Sequence, residues 1–339
     1  MSQRIHIAVI GSGAMGCLFA GCLNFEKAAI EKSLSRPSRI QISLLGSWRE
    51  QIDTLRRDGI VVALPGGGIK YSPLHATTRI ADIDPVDIAL VLVKSAQTEN
   101  AAGKIKQILK DDGIAVTLQN GLGNYDILAR ILGKQRVTAG ITSQGATIVS
   151  PGFLRYAGGG RTFITKQDAA AKKLTLLSAA FNEAGLPTDL IENAAPHIWG
   201  KLVVNAAVNP LSALLEVRNG ELLRKHAIVA IMTAAGQEVA NVAGAQGIQL
   251  PFQDVEEQIY IACKLTSGNN SSMYQDIRRG AATEIDAING AVVAIGKKLQ
   301  IPIPVNARLT EWIKAKEKGE SISQEKIETF ALDEHLMSH

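Results

Sequence analysis

Residues 5–16 read Ile-His-Ile-Ala-Val-Ile-Gly-Ser-Gly-Ala-Met-Gly, an apolar run followed by three glycines in the spacing Gly-x-Gly-x-x-Gly. The run predicts a buried strand, the glycines predict a tight turn, and the segment after Gly16 is compatible with a helix. In such a unit the glycines permit the turn, let the backbone approach a pyrophosphate and let helix pack on strand, with phosphate at the helix N-terminus. The alternative is a merely tight glycine-rich turn. The residues assigned to dinucleotide binding are Gly11, Ser12, Gly13, Ala14, Met15 and Gly16.

Short apolar runs recur along the first half of the chain, with polar, helix-permissive stretches between several of them. This alternation predicts an α/β domain with a Rossmann-type, mostly parallel sheet and helices on its faces. Between Leu154 and Thr165, turn glycines separate two strand-like pieces that we expect to extend the sheet in antiparallel fashion. The other predicted strands are Ile40–Leu45, Ile88–Val93, Ile114–Leu118 and Val137–Ile141.

The pattern changes after about Ile191, where strand signals fade and long Ala/Leu/Ile-rich stretches show helical spacing. A chain of 339 residues is long enough for about two domains. We therefore predict a dinucleotide-binding Rossmann-type domain over residues 1–190 and an all-helical second domain over residues 191–315. Residues 316–339 are predicted to form a mobile tail. The charged stretch Glu26–Arg39 is expected to lengthen the connection to the second strand.

Composition excludes several classes of partner. The formal charge is +4 and aromatic residues make up 4% of the chain, which lacks the basic and stacking pattern of nucleic-acid binders and instead suits a small anionic substrate. Three cysteines without a Cys-x-x-Cys pair indicate reduced thiols in a cytoplasmic protein. The histidines show no metal-binding spacing. The longest apolar run noted, Val86–Val93, is too short to cross a bilayer, so no membrane association is expected.

The residues after the second predicted strand bear on coenzyme choice. A site specific for NAD usually has an acid near that point, whereas a 2′-phosphate requires a cation. Here the strand runs into Gly46-Ser47-Trp48-Arg49, with no acid beside it. The pattern favours NADP, with Ser47 and Arg49 as candidate phosphate ligands. The alternative is that Arg49 is a solvated residue in the first turn of the next helix.

Two polar side chains come just past later strands. Lys94 follows Val86–Val93, and Asn120 lies in Gln-Asn-Gly after Ile114–Leu118. Ligands of open parallel sheets bind outside the carboxyl ends of the strands, so we expect cofactor and substrate to meet near both residues. The alternatives are an ordinary surface lysine and an Asn-Gly turn.

A second candidate element is the predicted helix Trp199–Pro210. Lys201, Asn205 and Asn209 are spaced four residues apart and share one side of it, opposite an apolar face. Asparagine is a poor residue inside helices, so two of them in register with a lysine favour a functional role over a solvated face.

The stretch Asn269–Gly290 places a carboxylate among apolar residues. On one continuous helix, Glu284 would lie within the stripe formed by Ile277, Ala281, Ile288, Val292 and Ile295. A buried carboxylate needs a partner, and Lys201 is the predicted one. Ser272, with Gln275 three residues later, fits a helix-capping box, which is compatible with a carboxylate ligand at the helix start.

Together these motifs resemble the ketopantoate reductase (2-dehydropantoate 2-reductase) family over nearly the whole chain. The shared motifs are Gly11–Gly16, Lys94, Gln119-Asn120-Gly121, Gly145-Ala146-Thr147, Pro151-Gly152, Trp199-x-Lys201-x-x-x-Asn205-x-x-x-Asn209-Pro210, Ser271-Ser272-Met273-x-x-Asp276 and Thr283-Glu284-Ile285-Asp286-x-x-Asn289-Gly290. The last two are the most specific. One departure concerns the family's 2′-phosphate arginine, which aligns nearer Trp48 than Arg49.

The resemblance implies NADPH-dependent reduction of 2-dehydropantoate to pantoate, in pantothenate and coenzyme A biosynthesis. Lys201 would donate the proton, with Glu284 beside it. Burial lowers a lysine pKa and a nearby carboxylate limits the fall, so we expect Lys201 to stay protonated at neutral pH. The resemblance assigns the substrate to Asn120, Asn205, Asn209, Asn269 and Ser272. It also places Lys94, Asn120 and Glu284 against the cofactor.

Three alternatives differ from this reading. A same-family reductase would act on another 2-keto acid. A β-hydroxyacid dehydrogenase would carry Gly-x-Gly-x-x-x-Lys before its lysine, whereas residues 196–201 read Pro-His-Ile-Trp-Gly-Lys. A nucleotide-sensing protein would have lost its chemistry, which the presence of both Lys201 and Glu284 opposes. Apolar faces on the helical domain permit a homodimer.

Overall fold

The computed structural model describes residues 5–34 and 40–331, without the side chains of residues 25–34. The chain forms two compact units. Unit 1 comprises the chain through Gln119 together with Asn124–Ala194. Unit 2 comprises Asn120–Gly123 together with the chain from Ala195 onward. The predicted fold class, a Rossmann-type sheet followed by an all-helical part, is confirmed.

Unit 1 contains the strands and the first helices of the described chain. Its strands are β1 Ile5–Ile10, β2 Ile40–Leu45, β3 Ile60–Ala63, β4 Ile69–Ser72, β5 His75–Thr77, β6 Val86–Val91, β7 Leu109–Thr117, β8 Val137–Ser150, β9 Phe153–Thr165 and β10 Thr188–Ile191. Its α-helices are α1 Ala14–Leu34, α2 Arg49–Asp58, α3 Thr98–Ile108, α4 Asn124–Leu132 and α5 Ala171–Glu183.

The strands form one sheet with β1 near its middle. The order is β4-β3-β9-β8-β7-β6-β1-β2-β5, and β10 pairs with β9. β1 pairs in parallel with both β2 and β6, with Ile10 opposite Leu45 and Val91. Alternate β1 side chains enter different apolar clusters, Ile7 and Val9 on one face and Ala8 and Ile10 on the other. The continuous apolar run is therefore explained by burial on both faces of a parallel sheet.

The predicted antiparallel extension is β8 paired with β9, from Gly140 opposite Ile164 to Ser150 opposite Phe153. Its predicted interruption by turn glycines is wrong, because Gly158 to Gly160 lie inside the single strand β9. A Cβ on Gly159 would lie 2.5 Å from the Ser143 carbonyl oxygen. The glycine there permits close approach of two strands, which a sequence pattern cannot distinguish from a turn.

All the regular secondary structure among the described residues of unit 2 is helical. Its helices are α6 Ala195–Leu215, α7 His226–Ala245, α8 Val255–Leu265, α9 Ser272–Arg278, α10 Ala291–Leu299, α11 Pro304–Glu317 and α12 Gln324–Phe330. A 3-10 segment covers Asn219–Arg224, and a single turn of π-helix, the π turn, covers Asp286–Gly290. Buried side chains of α6 and α7 contribute much of its core.

α6 and α7 are each long and apolar enough to cross a bilayer by length and composition, although neither contains an uninterrupted apolar run of that length. In this protein 72% of the α6 window and 50% of the α7 window are buried inside the structure. Both are core helices of unit 2, and apolarity on nearly all sides follows from that position.

Two segments differ from their predicted descriptions. Within the range expected to be a mobile tail, α12 forms a helix whose Ile327 is fully buried, and Phe330 packs edge-on against Trp312 with ring centroids 5.3 Å apart. A few apolar side chains among polar neighbours suffice to dock a short helix. In the Glu26–Arg39 stretch, helix α1 continues to Leu34, and residues 35–39 lie outside the described part of the chain.

Candidate active site

The loop from Gly11 to Gly16 has the backbone geometry that its sequence predicts. Gly11 has φ +125°, and a Cβ there would lie 2.8 Å from the Leu92 carbonyl carbon. A Cβ on Gly16 would lie 1.8 Å from the Gly11 carbonyl oxygen, so helix α1 can pack on the end of β1 only without a side chain. A Cβ on Gly13 would meet nothing within 4 Å among the described residues. The second glycine thus faces open space at the start of α1, where backbone N–H groups lack partners within the helix.

Gly46, the residue after β2, packs closely against this loop. A Cβ on Gly46 would lie 2.1 Å from the Ser12 hydroxyl oxygen, so the missing side chain lets Ser12 lie buried there. Ser47 and Arg49 follow, both exposed, with Arg49 the first residue of α2. Trp48 stands between them at the helix N-cap with 41% of its surface exposed. This edge of unit 1 therefore presents a hydroxyl, an indole and a guanidinium.

Lys94 lies three residues beyond β6, next to the 3-10 turn Ser95–Gln97, and is partly buried. Gln119, at the end of β7, donates from Nε2 to the Val93 carbonyl at 2.8 Å and to the Thr98 hydroxyl at 2.9 Å. This amide fixes the backbone beside Lys94 at the carboxyl ends of β6 and β7. Lys94 thus lies just past the carboxyl end of β6, where the sequence predicts it.

In unit 2, three predicted site residues meet in one cluster, the Lys201–Asn120–Glu284 cluster. The Lys201 ammonium donates from Nζ to Asn120 Oδ1 at 2.9 Å, and Asn120 Nδ2 donates to Glu284 Oε2 at 3.3 Å. Along the chain, Asn120 is 81 positions from Lys201 and 164 positions from Glu284. An ammonium can only donate and a carboxylate can only accept, so the orientation of the Asn120 amide is fixed.

The backbone explains how Asn120 reaches this position. Gly121 has φ +76°, and a Cβ on it would lie 2.5 Å from the Ala287 carbonyl oxygen. The next residue, Leu122, donates its N–H to that same oxygen at 2.8 Å. The chain bends at the Asn-Gly pair, and the backbone just after it docks onto the π turn, which leaves the Asn120 side chain beside Lys201 and Glu284. Sequence reasoning gave Gly121 no role, although its place after Asn120 was visible.

The cluster is electrostatically tuned. Burial lowers the pKa of Lys201 to about 8, and the Glu284 carboxylate opposes that fall. Lys201 therefore remains mostly protonated at pH 7 but gives up its proton more readily than an ordinary lysine. Glu284 is 7% exposed, so its charge acts on the amine with little screening by water.

Glu284 is buried for a different reason from the one the pattern offered. The predicted continuous helical stripe is wrong, because α9 ends at Arg278 and Gly280 follows with φ +62°. The chain then leaves the helix and re-enters regular structure at the π turn, two residues after Glu284. Burial of Glu284 comes from its tertiary position rather than from a helix face.

The remaining substrate candidates are distributed around α6 and the start of α9. Asn205 and Asn209 follow Lys201 on α6, partly buried and buried respectively, whereas Asn269 and Ser272 are exposed. The predicted capping serine is wrong by one residue. Ser271, not Ser272, accepts from the Tyr274 N–H at 3.1 Å and also donates to the Asn209 carbonyl at 3.4 Å. Two adjacent serines offer equal capping patterns, so the sequence could not choose between them.

No grouping of His, Cys, Asp and Glu that could hold a metal ion occurs among the residues that the structure describes. Residues 7–168 match the family described as ketopantoate reductase PanE/ApbA, and residues 193–317 match its C-terminal family. The chain belongs to the ketopantoate reductase family. It is a 2-dehydropantoate 2-reductase-like oxidoreductase, as the sequence predicted.

Relatives of this family member cover nearly its whole length. A 2-dehydropantoate 2-reductase of Halobacterium salinarum is 31% identical over 91% of this chain and 98% of its own. One of Pyrococcus horikoshii is 32% identical over 92% and 98%. Among solved structures, a PanE/ApbA family ketopantoate reductase from Ralstonia eutropha has a TM-score of 0.82 at 28% identity, covering 93% of this chain and 99% of that one. A D-mandelate dehydrogenase with NADH and anilino(oxo)acetate has a TM-score of 0.83 at 27% identity, with the same coverage.

Proposed function

We propose that this reductase converts 2-dehydropantoate to pantoate with NADPH, using Lys201 as the general acid. The observation that carries the proposal is the Lys201–Asn120–Glu284 cluster, in which a partly buried lysine and a buried carboxylate share one amide. The choice of substrate is based on curated relatives named 2-dehydropantoate 2-reductase, which match more than nine-tenths of the chain.

The loop Gly11–Gly16 fits a dinucleotide because Gly13 leaves open space at the start of α1. Ser12, Ala14 and Met15 belong to the same binding loop, and Lys94 stands at the neighbouring strand ends. Ser47 and Arg49 are the candidate ligands of a 2′-phosphate, since their hydroxyl and guanidinium suit that group. When bound, the nicotinamide supplies the hydride that adds to the keto carbon. NADP is therefore the proposed coenzyme, in keeping with the absence of an acid in Gly46-Ser47-Trp48-Arg49.

Lys201 acts on the oxygen of the ketone. Negative charge builds on that oxygen as the carbonyl is reduced, and an ammonium held by Asn120 stabilises the charge before transferring a proton to it. The N–H bond of Lys201 breaks, the alcohol O–H bond forms, and the neutral amine then takes a proton from water. A pKa of about 8 places the acid near neutral pH, where proton transfer is most effective.

The other polar residues orient the amine and the substrate. Glu284 keeps Lys201 charged, and Asn120 fixes the geometry of both groups. Asn205 and Asn209 share the Lys201 side of α6 and are proposed to hold the substrate's polar groups. Asn269 and Ser272 lie within two residues of Ser271, which contacts α6, and are proposed to complete the site.

A second candidate is the reduction of a different 2-keto acid by the same residues. The observation that favours it is the D-mandelate dehydrogenase structure, which contains NADH and is nearly as similar to this chain as the Ralstonia eutropha reductase is. That structure also contains anilino(oxo)acetate.

One set of assays separates these activities. NADPH oxidation is followed by absorbance with 2-dehydropantoate, with phenylglyoxylate and with other 2-keto acids, and each series is repeated with NADH. 3-Hydroxy acids with NADP test the dehydrogenase alternative. We expect the highest kcat/KM with 2-dehydropantoate and NADPH. A protein that binds NADPH tightly yet turns over no 2-keto acid would contradict the proposal.

We also propose that the enzyme serves pantothenate and coenzyme A biosynthesis in the cytoplasm. The three cysteines, which are buried thiols, agree with a reducing compartment. Formation of a homodimer stays a prediction, to be measured by light scattering during purification.

A further inference from the structure

Helix α6 carries a proline in its interior. In a regular helix the N–H of residue 210 would donate to the carbonyl of Ala206, four residues earlier. Pro210 has no N–H, and its ring crowds that carbonyl. Ala206 is fully buried, so water cannot serve as the missing donor. A buried carbonyl in this position requires a partner from elsewhere in the fold.

Asn289 provides that partner. Its Nδ2 donates to the Ala206 carbonyl oxygen at 2.9 Å, and the residue is fully buried. Asn289 belongs to the π turn and follows Glu284 by five residues. Ala206 in turn follows Lys201 by five residues on α6. One hydrogen bond therefore ties the segment of Glu284 to the helix of Lys201.

The amide of Asn289 is itself held by a buried network. Its Nδ2 also donates to Asn306 Oδ1 at 2.9 Å, while Asn306 Nδ2 donates to Glu238 Oε2 at 2.6 Å. The Glu238 carboxylate accepts two backbone N–H groups at the start of α11, from Val305 at 2.8 Å and Asn306 at 2.9 Å. Because a carboxylate only accepts, it fixes the Asn306 amide, and the Asn306 oxygen then fixes Asn289.

This arrangement has an energetic cost at the side-chain oxygen of Asn289. Asn289 Oδ1 is buried and, within the described chain, accepts no hydrogen bond. An unsatisfied buried oxygen is unfavourable and calls for an explanation. Here the amide is oriented to deliver its donor to two carbonyl oxygens, and its own acceptor is left unused.

The π turn also binds the segment that carries Asn120, the third member of the cluster. Ala287 accepts the N–H of Leu122, two residues after Asn120, as described above. The segments of Asn120 and Glu284 and the helix of Lys201 thus all attach to one five-residue turn. π turns are rare and occur often at functional sites.

We propose that Asn289 is a positioning residue for the reaction: held by Asn306 and Glu238, it fills the vacancy that Pro210 opens in α6 and so fixes Glu284 and Asn120 against Lys201. Asn289 itself lies too deep to contact the substrate, being fully buried. The proposal rests on the proposed function of Lys201, Asn120 and Glu284.

The test is a double-mutant cycle between Asn289→Leu and Pro210→Ala. Asn289→Leu keeps the side-chain size and removes the donor, and we expect kcat to fall about 10- to 100-fold, as for small misplacements of reacting groups. Pro210→Ala restores an N–H that can donate to Ala206. In that background Asn289→Leu should cost less than about 5-fold, because the carbonyl already has a partner. An equal loss in both backgrounds would overturn the proposal.

Controls separate positioning from stability. Ser212→Ala removes a buried hydroxyl on the same helix, one that donates to the Val217 carbonyl at 2.7 Å and does not contact Asn289. All variants are assayed well below their Tm and normalised to folded protein. A merely structural role would lower the Tm of Asn289→Leu as it does for Ser212→Ala, with kcat unchanged for both, and that result would refute positioning.

A second measurement keeps this inference separate from the proposed activity. The titration of Lys201 is followed by NMR of ¹³C-dimethylated lysines, with its signal assigned by loss in Lys201→Arg. We expect the titration to be displaced in Asn289→Leu and returned toward the wild-type midpoint in the double variant. If the wild type turns over a 2-keto acid and Asn289→Leu changes neither the titration midpoint of Lys201 nor kcat, only the positioning role is refuted. A wild type inactive on every 2-keto acid, with a displaced titration in Asn289→Leu, would remove only the proposed function.

Discussion

The glycine loop after β1 contains no ionisable side chain, whereas the cluster in unit 2 consists of an amine, an amide and a carboxylate. The loop, six consecutive residues, offers backbone and the space left where Gly13 has no Cβ. The cluster joins side chains 81 and 164 positions apart, and burial tunes the pKa of one of them. Substitutions in the loop should therefore act through steric fit, and substitutions in the cluster through charge and pH.

The largest effect is expected at the amine. Lys201→Ala removes the proposed proton donor and should lower kcat by about 10²–10⁴-fold, the usual contribution of a general acid, with NADPH affinity retained. The measurement is steady-state NADPH oxidation with 2-dehydropantoate, alongside NADPH binding by fluorescence. Lys264→Ala, at an exposed lysine of α8, is the matched control and should leave kcat unchanged. Near-normal turnover in Lys201→Ala would remove the proton-transfer role.

The loop should respond to volume alone. Gly16→Ala places a Cβ 1.8 Å from the Gly11 carbonyl oxygen, so the loop must deform and NADPH affinity should fall by about 100-fold. Gly13→Ala adds the same methyl group in open space and should leave the Tm nearly unchanged, while weakening NADPH by about 10-fold if phosphate occupies that space. Isothermal titration calorimetry and thermal melts measure both. Equal Tm losses in the two variants would contradict the steric distinction.

The carboxylate should have a smaller, pH-dependent effect. Lys201 is protonated below its pKa, so an activity that requires the ammonium is present at low pH and lost as pH rises through about 8. Glu284 raises that pKa, so Glu284→Gln should move the loss of kcat/KM to lower pH and reduce kcat by about 10-fold at pH 7. pH–rate profiles of the wild type and variant test the sign. A shift toward higher pH would contradict the electrostatic role of Glu284.

The smallest effect is expected at Arg49, the charged residue that follows β2. Arg49 is exposed at the start of α2, and solvent weakens its contribution. Arg49→Ala should weaken NADPH by about 3- to 10-fold and leave NADH binding unchanged. Arg56→Ala, in the same helix, serves as the control. Parallel losses for NADPH and NADH would assign Arg49 to general electrostatics rather than to the 2′-phosphate.

Local patterns predicted the elements whose causes are local. β1 and β2 agree with their predicted bounds because alternating burial on both sides of a parallel sheet leaves a continuous apolar run. The Gly11–Gly16 turn was equally readable, since each glycine has its own steric requirement. The helix bearing Lys201 and its two asparagines was predicted from its spacing for the same reason.

Errors arose where two local readings were equally good. Ser271 and Ser272 can each cap a helix, and α9 begins after the one whose hydroxyl also reaches the Asn209 carbonyl of α6. The glycines of β9 suggest a turn, yet they answer to close packing against β8. Ile327 is one of a few apolar residues in a polar stretch, and only the core of unit 2 shows that it has a place to be buried.

The sequence by itself determined the sheet, the nucleotide-type loop, the helical unit and the identity of the residues fit for chemistry, because periodicity and glycine sterics act over a few residues. The tertiary structure decided that Asn120 bridges Lys201 and Glu284, that a π turn rather than a helix follows Glu284, and that Asn289 satisfies the carbonyl freed by Pro210. These are hydrogen bonds between distant segments, whose donors and acceptors are paired only once both have been buried together.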